Sequence, residues 1–198
     1  MIFGVSATKS TVVIAESKCA GGKFVLTAIR PVSFQVRSGE GLIELLKTLG
    51  TIFDRKGKGA GSVIALLKCS SGRFGSCLEA IKGEAMVELA AAQGGHRLIK
   101  VAPQSLKKTL GGAPDQKWRD RAAELFNPDG KRPNWSKGAA GAVAVAFKVA
   151  GESVSNHGFK NSMPDVFTKA KRAQIMSRIR RRKRGLVGGR VRRRPSGS

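Results

Sequence analysis

The sequence predicts an α/β fold with a mixed sheet, in which antiparallel strands come first, parallel strands follow, and helices flank the sheet. Residues 1–34 contain β-branched and aromatic runs separated by short polar breaks, as in antiparallel hairpins. Residues 63–67 form a continuous apolar run, which is typical of a central strand buried on both faces. From residue 41 onward, segments with helical spacing alternate with such strands, which indicates parallel pairing.

The first three strands are predicted at residues 1–5, 11–15 and 23–34. The polar break at residues 6–10 favours a hairpin between the first two. Pro31 lies in the third segment and lacks a backbone N–H, so we expect an edge strand or a bend there.

Helical and extended segments alternate in the rest of the body. After a helix at 41–53 and a loop at 54–61, we expect a central strand at 62–69 and a helix at 76–93 that stops at two glycines. A short strand at 97–102 follows, and the last three helices are predicted at 104–110, 115–126 and 136–150. Periodicity fades from residue 151, so we predict a domain at 1–152, a linker at 153–167 and a tail at 168–198.

Positive charge is concentrated in the tail but is not confined to it. The chain has 37 Lys and Arg against 13 Asp and Glu, for a net charge of +24. The tail carries 13 of the cations and no acid, which leaves the body at +11. Such a field favours polyanions, because each phosphate that a cation neutralises releases condensed counterions. The sequence therefore predicts a nucleic-acid partner.

Other classes of protein are disfavoured. No apolar run is long enough for a membrane helix and no secretory signal is recognisable, so we expect an intracellular protein in a cytoplasm, nucleoid or organelle matrix, with no membrane partner. Cys19, Cys69 and Cys77 match no zinc spacing and are interpreted as reduced, buried thiols. His96 and His157 are isolated and indicate neither a metal site nor a catalytic base.

Several local phrases resemble the RuvC family of Holliday-junction resolvases, which have a ribonuclease H-like fold. The strongest is VAPQSLKKTLGG at residues 101–112, which is similar to the family's strand end, proline, and lysine-rich helix closed by glycine. The helix from residue 78 to 93 and the segment 138–146 also stand where the family has helices. The resemblance covers roughly residues 1–150 and excludes the tail.

In that family four carboxylates hold two divalent metal ions that activate water for phosphodiester cleavage. The resemblance places the first acid at Ser6 and the second at Leu66 or Leu67, of which we take Leu66. It places the last pair at Gly138 and Gly141. None of these positions carries an acid, so the resemblance predicts a scaffold that has lost its metal ligands. We expect no cofactor, and Mg²⁺ or Mn²⁺ only if acids have been relocated.

The first hypothesis is thus a catalytically inactive, resolvase-like protein that binds branched DNA or structured RNA, with a homodimer, as in the family, left open. The resemblance and the local charge suggest body contacts at a glycine-rich loop with Arg55, Lys56 and Lys58, at Arg73 and Phe74 where the family has a junction-probing loop, and at Lys107 and Lys108. Tail contacts are predicted for all its cations: Lys169, Lys171, Arg172, Arg178, Arg180, Arg181, Arg182, Lys183, Arg184, Arg190, Arg192, Arg193 and Arg194.

Two alternatives remain open. An active nuclease would need relocated acids, for which the candidates are Glu16, Glu79, Glu84, Asp115 and Asp165. A structural protein of a ribosome or another ribonucleoprotein would use the same tail between RNA segments. Trp118 and Trp135 are stacking candidates, Trp135 as an exposed wedge before the last helix. Packing is nevertheless favoured for both, and Trp118 lies at helical spacing with Leu125.

Overall fold

The computed structural model describes residues 1–35, 38–54, 62–69 and 77–155. Within these ranges the chain forms five strands and five helices. The strands are β1 (Ile2–Ala7), β2 (Thr11–Ala20), β3 (Lys23–Ser33), β4 (Val63–Leu67) and β5 (Arg97–Val101). The helices are α1 (Gly39–Phe53), α2 (Leu78–Gln93), α3 (Pro103–Leu110), α4 (Trp118–Phe126) and α5 (Lys137–Ser155).

The strands form one mixed sheet in the order β3-β2-β1-β4-β5. The first three strands pair antiparallel, whereas β4 pairs parallel with both β1 and β5. The predicted fold class is therefore confirmed. Pro31 lies in β3, which is an edge strand, as expected for a residue that cannot donate a backbone hydrogen bond.

Two hydrophobic cores cover the two faces of the sheet. On one face, Phe3, Val5, Ile64 and Leu66 pack with α1 and α2. On the other face, alternate residues of the same strands pack against α3, α4 and α5. The alternation follows from the two-residue period of a strand, which sends neighbouring side chains to opposite faces.

Helix α5 lies against the centre of the sheet and is almost wholly buried. Its residues from Ala139 to Ala146 are small apolar residues or glycine, so its backbone approaches β1 closely. At Gly4 a Cβ atom would overlap the carbonyl oxygen of Ala142, which is why this position in β1 requires glycine.

Most helix boundaries lie within two residues of the sequence prediction, and two differ by more. Helix α4 begins at Trp118 instead of residue 115, because the preceding residues form a turn in which the Gln116 N–H donates to the Ala113 carbonyl at 3.1 Å. Helix α5 continues to Ser155, beyond the predicted end at residue 150. The predicted linker and tail from residue 156 onward lie outside the described residues. No helix in the described ranges has both the length and the apolar character to cross a membrane.

Candidate nucleic-acid interface

Ser6 marks the candidate site, near the carboxyl end of β1. Its backbone is in register with Leu67 of β4 on one side and with Val13 of β2 on the other. The side chain is only 6% exposed and lies on the face of the sheet that α5 covers. Ser6 therefore points into the protein at the place where the sequence resemblance puts the first acid.

The residue beside Ser6 on β4 is Leu67, not Leu66. Leu66 pairs with Val5 and packs in the core formed with α1 and α2, on the opposite face of the sheet. Leu67 packs in the core formed with α5. The expected second degenerate position is Leu66, whereas the structure places Leu67 next to Ser6.

Gly141 of α5 closes the site from the other side. A Cβ atom added there would lie 2.9 Å from Leu67 Cδ2 and 2.9 Å from Ser6 Oγ, which is too close for an unstrained contact. Gly138, one turn earlier, faces Val13 and Thr8, and a Cβ added there would lie 2.8 Å from Val13 Cγ2. The structure thus brings Ser6, Leu67 and Gly141 together and leaves Gly138 at the margin.

These residues do not fit the divalent metal that the resemblance implies. A hydroxyl, an isobutyl group and a glycine supply no anionic oxygen to offset the dehydration of Mg²⁺ or Mn²⁺. An acidic side chain at position 141 would also have no room unless α5 moved away from the sheet. Across the part of the chain that the structure describes, no group of three or more His, Cys, Asp or Glu residues is placed to hold a metal ion.

Three of the five relocated-acid candidates, Glu16, Glu79 and Glu84, are engaged in other contacts. Glu16 pairs with Arg30 on β3, and its backbone is in register with Phe3, three residues before Ser6. Glu79 accepts a hydrogen bond from the Cys77 thiol at 3.0 Å. Cys77 is exposed, as is Cys19, so the expectation of buried thiols is wrong for both. The contacts of these acids do not converge on one metal position. Asp115 lies in the turn before α4, and Asp165 lies outside the described residues.

Glu84 ties α2 to the end of β4. Its carboxylate accepts a hydrogen bond from the backbone N–H of Cys69, two residues after Leu67. Burial, and then the hydrogen bond with Glu84, raise the pKa of the Cys69 thiol to about 12, so this thiol stays protonated at neutral pH. Glu88, one turn further along α2, instead pairs with Lys100 of β5 at 2.7 Å. These contacts give Glu84 and Glu88 structural roles.

Two exposed lysines that the sequence analysis did not single out stand at the rim of the site. Lys9 lies in the turn after β1, and Lys68 follows β4 directly. Because β1 and β4 are parallel, their carboxyl ends meet at one edge of the sheet, where α/β proteins place their ligands. The position of each lysine just after a predicted strand is the signal that would have found them.

Lys107 and Lys108 lie in the last turn of α3, which begins where β5 ends. Both are exposed, but the Lys107 ammonium group donates to the carbonyl of Pro114 and so holds the loop that follows α3. Lys108 is the better placed of the two for an external anion. The other predicted contacts lie outside the described residues: Arg55, Lys56, Lys58, Arg73, Phe74 and every cation of the 168–198 tail.

The two tryptophans pack against the core next to α5. Both Trp118 and Trp135 are half-buried there, and the Arg119 guanidinium lies 4.6 Å from the centre of the Trp118 ring. Cation–π contact with an arginine and packing below leave this ring little free surface for a base. The expectation that both tryptophans serve packing agrees with this arrangement.

The order of strands and the helix across the sheet define a ribonuclease H-like α/β fold. The fold is similar to that of RuvC from Thermus thermophilus, as solved in complex with a Holliday junction substrate. That match has a TM-score of 0.62 and 14% sequence identity, and it covers 78% of this chain and 95% of that one. A second structure of Thermus thermophilus RuvC gives a TM-score of 0.59 at 14% identity, over 79% of this chain and 96% of that chain. The chain therefore has the fold of RuvC. No protein-family model and no curated protein sequence matches it.

Proposed function

We propose that this protein binds nucleic acid, with branched DNA as the first candidate, and holds it without cleaving it. Two findings support the proposal. The fold is that of RuvC, which has been solved with a Holliday junction, and the chain carries a net charge of +24. A strongly basic protein with this fold is suited to a polyanion of defined shape.

The observation that carries the proposal is the packing of Gly141 against Ser6 and Leu67. Apolar and hydroxyl groups at this contact fill the space that metal ligands would need. Phosphate oxygens at this edge of the sheet would then have to be neutralised by cations of the protein. Lys9 and Lys68 stand at the same edge and are exposed to solvent.

The mechanism of binding is electrostatic. Each phosphate contact made by a lysine releases counterions, so the affinity falls with salt by about 0.9 logarithmic units per contact and per tenfold rise in salt. Lys9 and Lys68 would hold the backbone at the carboxyl edge of β1 and β4, and the cations of the tail would add further phosphate contacts. No step of this binding requires a metal ion.

The test compares binding and cleavage of a four-way junction, a duplex of the same sequence and a folded RNA. We expect equal binding of the junction in EDTA and in Mg²⁺ or Mn²⁺, with no cleavage products. Tighter binding of the folded RNA at matched salt would reassign the partner to RNA. Specific cleavage that depends on Mg²⁺ or Mn²⁺ would refute the non-cleaving function.

Lysine substitutions locate the contact. We expect the double variant Lys9→Gln and Lys68→Gln to lower the affinity and to reduce the salt slope by about 2, because two contacts are lost. Lys47→Gln is the matched control, since Lys47 is an exposed lysine on α1, away from the carboxyl edge of the sheet. If the double variant lost no more binding free energy than twice the loss in Lys47→Gln, a local contact at Lys9 and Lys68 would be contradicted.

A further inference from the structure

Two of the three cysteines lie at the ends of the segment that connects β4 to α2. Cys69 stands two residues after the end of β4, and Cys77 directly precedes the first residue of α2. Both thiols are free, with Cys69 half-buried and Cys77 exposed. The third cysteine, Cys19, lies near the carboxyl end of β2, which is at the opposite edge of the sheet because β2 runs antiparallel to β1.

Helix α2 holds both cysteines of the connection through glutamates. The Glu84 carboxylate accepts a hydrogen bond from the Cys69 N–H, and the Cys77 thiol donates to Glu79 at 3.0 Å. Side chains on a helix point back toward its amino end, so Glu84 reaches toward the turn that follows Cys77. The end of β4 is therefore held beside the amino-terminal turns of α2, where Cys77 lies.

The thiol of Cys69 also responds to the charge of Cys77. Burial and the interaction with Glu84 are the larger causes that raise the pKa of Cys69 to about 12, and the charge of Cys77 adds to them. Coulomb interactions near a protein surface weaken with distance and are screened by water and salt. This contribution of Cys77 agrees with the contacts on α2 in making the two thiols neighbours.

We infer that Cys69 and Cys77 form a reversible disulfide within one chain, which makes this edge of the sheet an oxidation-sensitive site. A disulfide needs Cα atoms about 4.4–6.8 Å apart and sulfur atoms that can turn toward each other. Cys77 is exposed and stands before the first turn of α2, so its side chain is accessible to an oxidant and can exchange Glu79 for Cys69.

The oxidant in this reaction is a small disulfide such as glutathione disulfide. The Cys77 thiolate attacks one sulfur of the oxidant, the oxidant's S–S bond breaks, and one glutathione leaves with the proton that Cys77 gave up. The Cys69 thiolate then attacks the Cys77 sulfur and releases the second glutathione, which takes up the Cys69 proton. Two protein thiols are oxidised to one disulfide, and one glutathione disulfide is reduced to two thiols.

Glu84 controls the second step. The pKa of Cys69, raised first by burial and then by Glu84, leaves little thiolate at neutral pH, so the bond closes slowly from the mixed disulfide at Cys77. Closure should accelerate about tenfold from pH 7 to pH 8, because the thiolate fraction rises in proportion. Glu84→Gln keeps an acceptor for the Cys69 N–H but removes the charge, and should speed closure on the order of threefold at pH 7.

Oxidation would change the charge balance where Lys9 stands. The hydrogen bond from Cys77 is the largest of the influences that lower the pKa of Glu79. The charges of Lys9 and Lys82 lower it further. The disulfide removes the thiol donor, so Glu79 is left to these lysines and competes with phosphate for Lys9. Oxidation should therefore weaken nucleic-acid binding, a consequence that rests on the proposed function.

The test incubates the full, nuclease-treated chain in a series of reduced and oxidised glutathione mixtures and maps its cysteines by mass spectrometry. We expect Cys69 and Cys77 to be joined within one chain, and the bond to open with dithiothreitol. Cys19→Ser is the matched control and should form the same bond, whereas Cys69→Ser should stop at glutathione on Cys77. A bond that includes Cys19, thiols that stay free in excess oxidant, or glutathione on both Cys69 and Cys77 without a bond between them would overturn the inference.

Junction binding by the oxidised and the reduced chain tests the consequence separately. We expect oxidation to reduce the salt slope by about 0.9, because one phosphate contact is lost, and to lower the affinity. Cys77→Ser cannot form the bond and should bind equally well in both glutathione mixtures. Equal binding of the two redox states of the intact chain would overturn the role given to Glu79. Failure of both states to bind would instead refute the proposed function, while the mapped disulfide would stand.

Discussion

Gly141 shows how one residue decides what the centre of this fold can hold. Its missing side chain lets α5 lie directly on Ser6 and Leu67, so the helix backbone occupies the space above the carboxyl end of β1. Leu67 adds apolar surface at the same point. The site is thus closed by packing as well as being poor in charge, and restoring a single acid would not restore a metal site.

Gly141→Ala should destabilise the protein. The added methyl group would meet Leu67 and Ser6 at 2.9 Å, and overpacking of this kind costs about 1–3 kcal/mol. Gly151→Ala in the same helix is the control, because a Cβ there has nothing within 4 Å and should raise the stability by up to about 1 kcal/mol. Urea unfolding measures both free energies. Equal stability of the two variants would show that α5 does not lie this close to the sheet.

At the scale of elements, α2 supports the edge of the sheet where the candidate site lies. Its inner face packs on the sheet, and Glu84 holds the end of β4 next to the candidate site through the Cys69 N–H. Its outer face carries the exposed side chains of Leu78, Ile81 and Leu89. A change on the inner face of α2 can therefore disturb the carboxyl edge of the sheet.

Glu84→Ala and Glu88→Ala separate a structural contact from a surface ion pair. Loss of Glu84 leaves the half-buried Cys69 N–H without its charged acceptor, which costs about 1–3 kcal/mol. Loss of Glu88 breaks an exposed pair with Lys100 and should cost less than about 1 kcal/mol. The free energies of unfolding from chemical denaturation distinguish the two variants. A larger loss of unfolding free energy for Glu88→Ala than for Glu84→Ala would contradict the role of Glu84 in holding the end of β4.

At the scale of the whole molecule, charge is distributed unevenly. The tail at 168–198 carries 13 cations and no acid, whereas α1 and α2 are each net acidic. We therefore expect nucleic acid to contact the carboxyl edge of the sheet and the tail, and to be repelled from α1 and α2.

Deleting residues 168–198 should weaken junction binding by at least about tenfold at 0.1 M salt and give a shallower salt dependence. The deletion lowers the net charge from +24 to +11. A full-length variant with all the tail cations changed to glutamine is the control for chain length and should behave like the deletion. Fluorescence anisotropy across a salt series provides the measurement. Equal binding of the truncated and intact chains at every salt concentration would exclude a role for the tail.

The sequence by itself determined the order of strands and helices, the mixed sheet and the uneven charge, because these depend on local periodicity and composition. It also placed Ser6 and Gly141 at the site by resemblance. It did not distinguish Leu66 from Leu67, since a run of apolar residues has no alternation that reveals which side chains face α5. That choice depends on the pairing of β4 with β1, which puts Leu67 beside Ser6.

Only the tertiary structure decided which groups come into contact. The approach of α5 to the sheet and the rim formed by Lys9 and Lys68 both join residues that are distant in sequence and on separate elements. A helix that is apolar on two sides does not indicate which side meets the sheet. Packing selected the face of small residues, because alanine and glycine allow the closest approach, and left the large side chains of α2 outside.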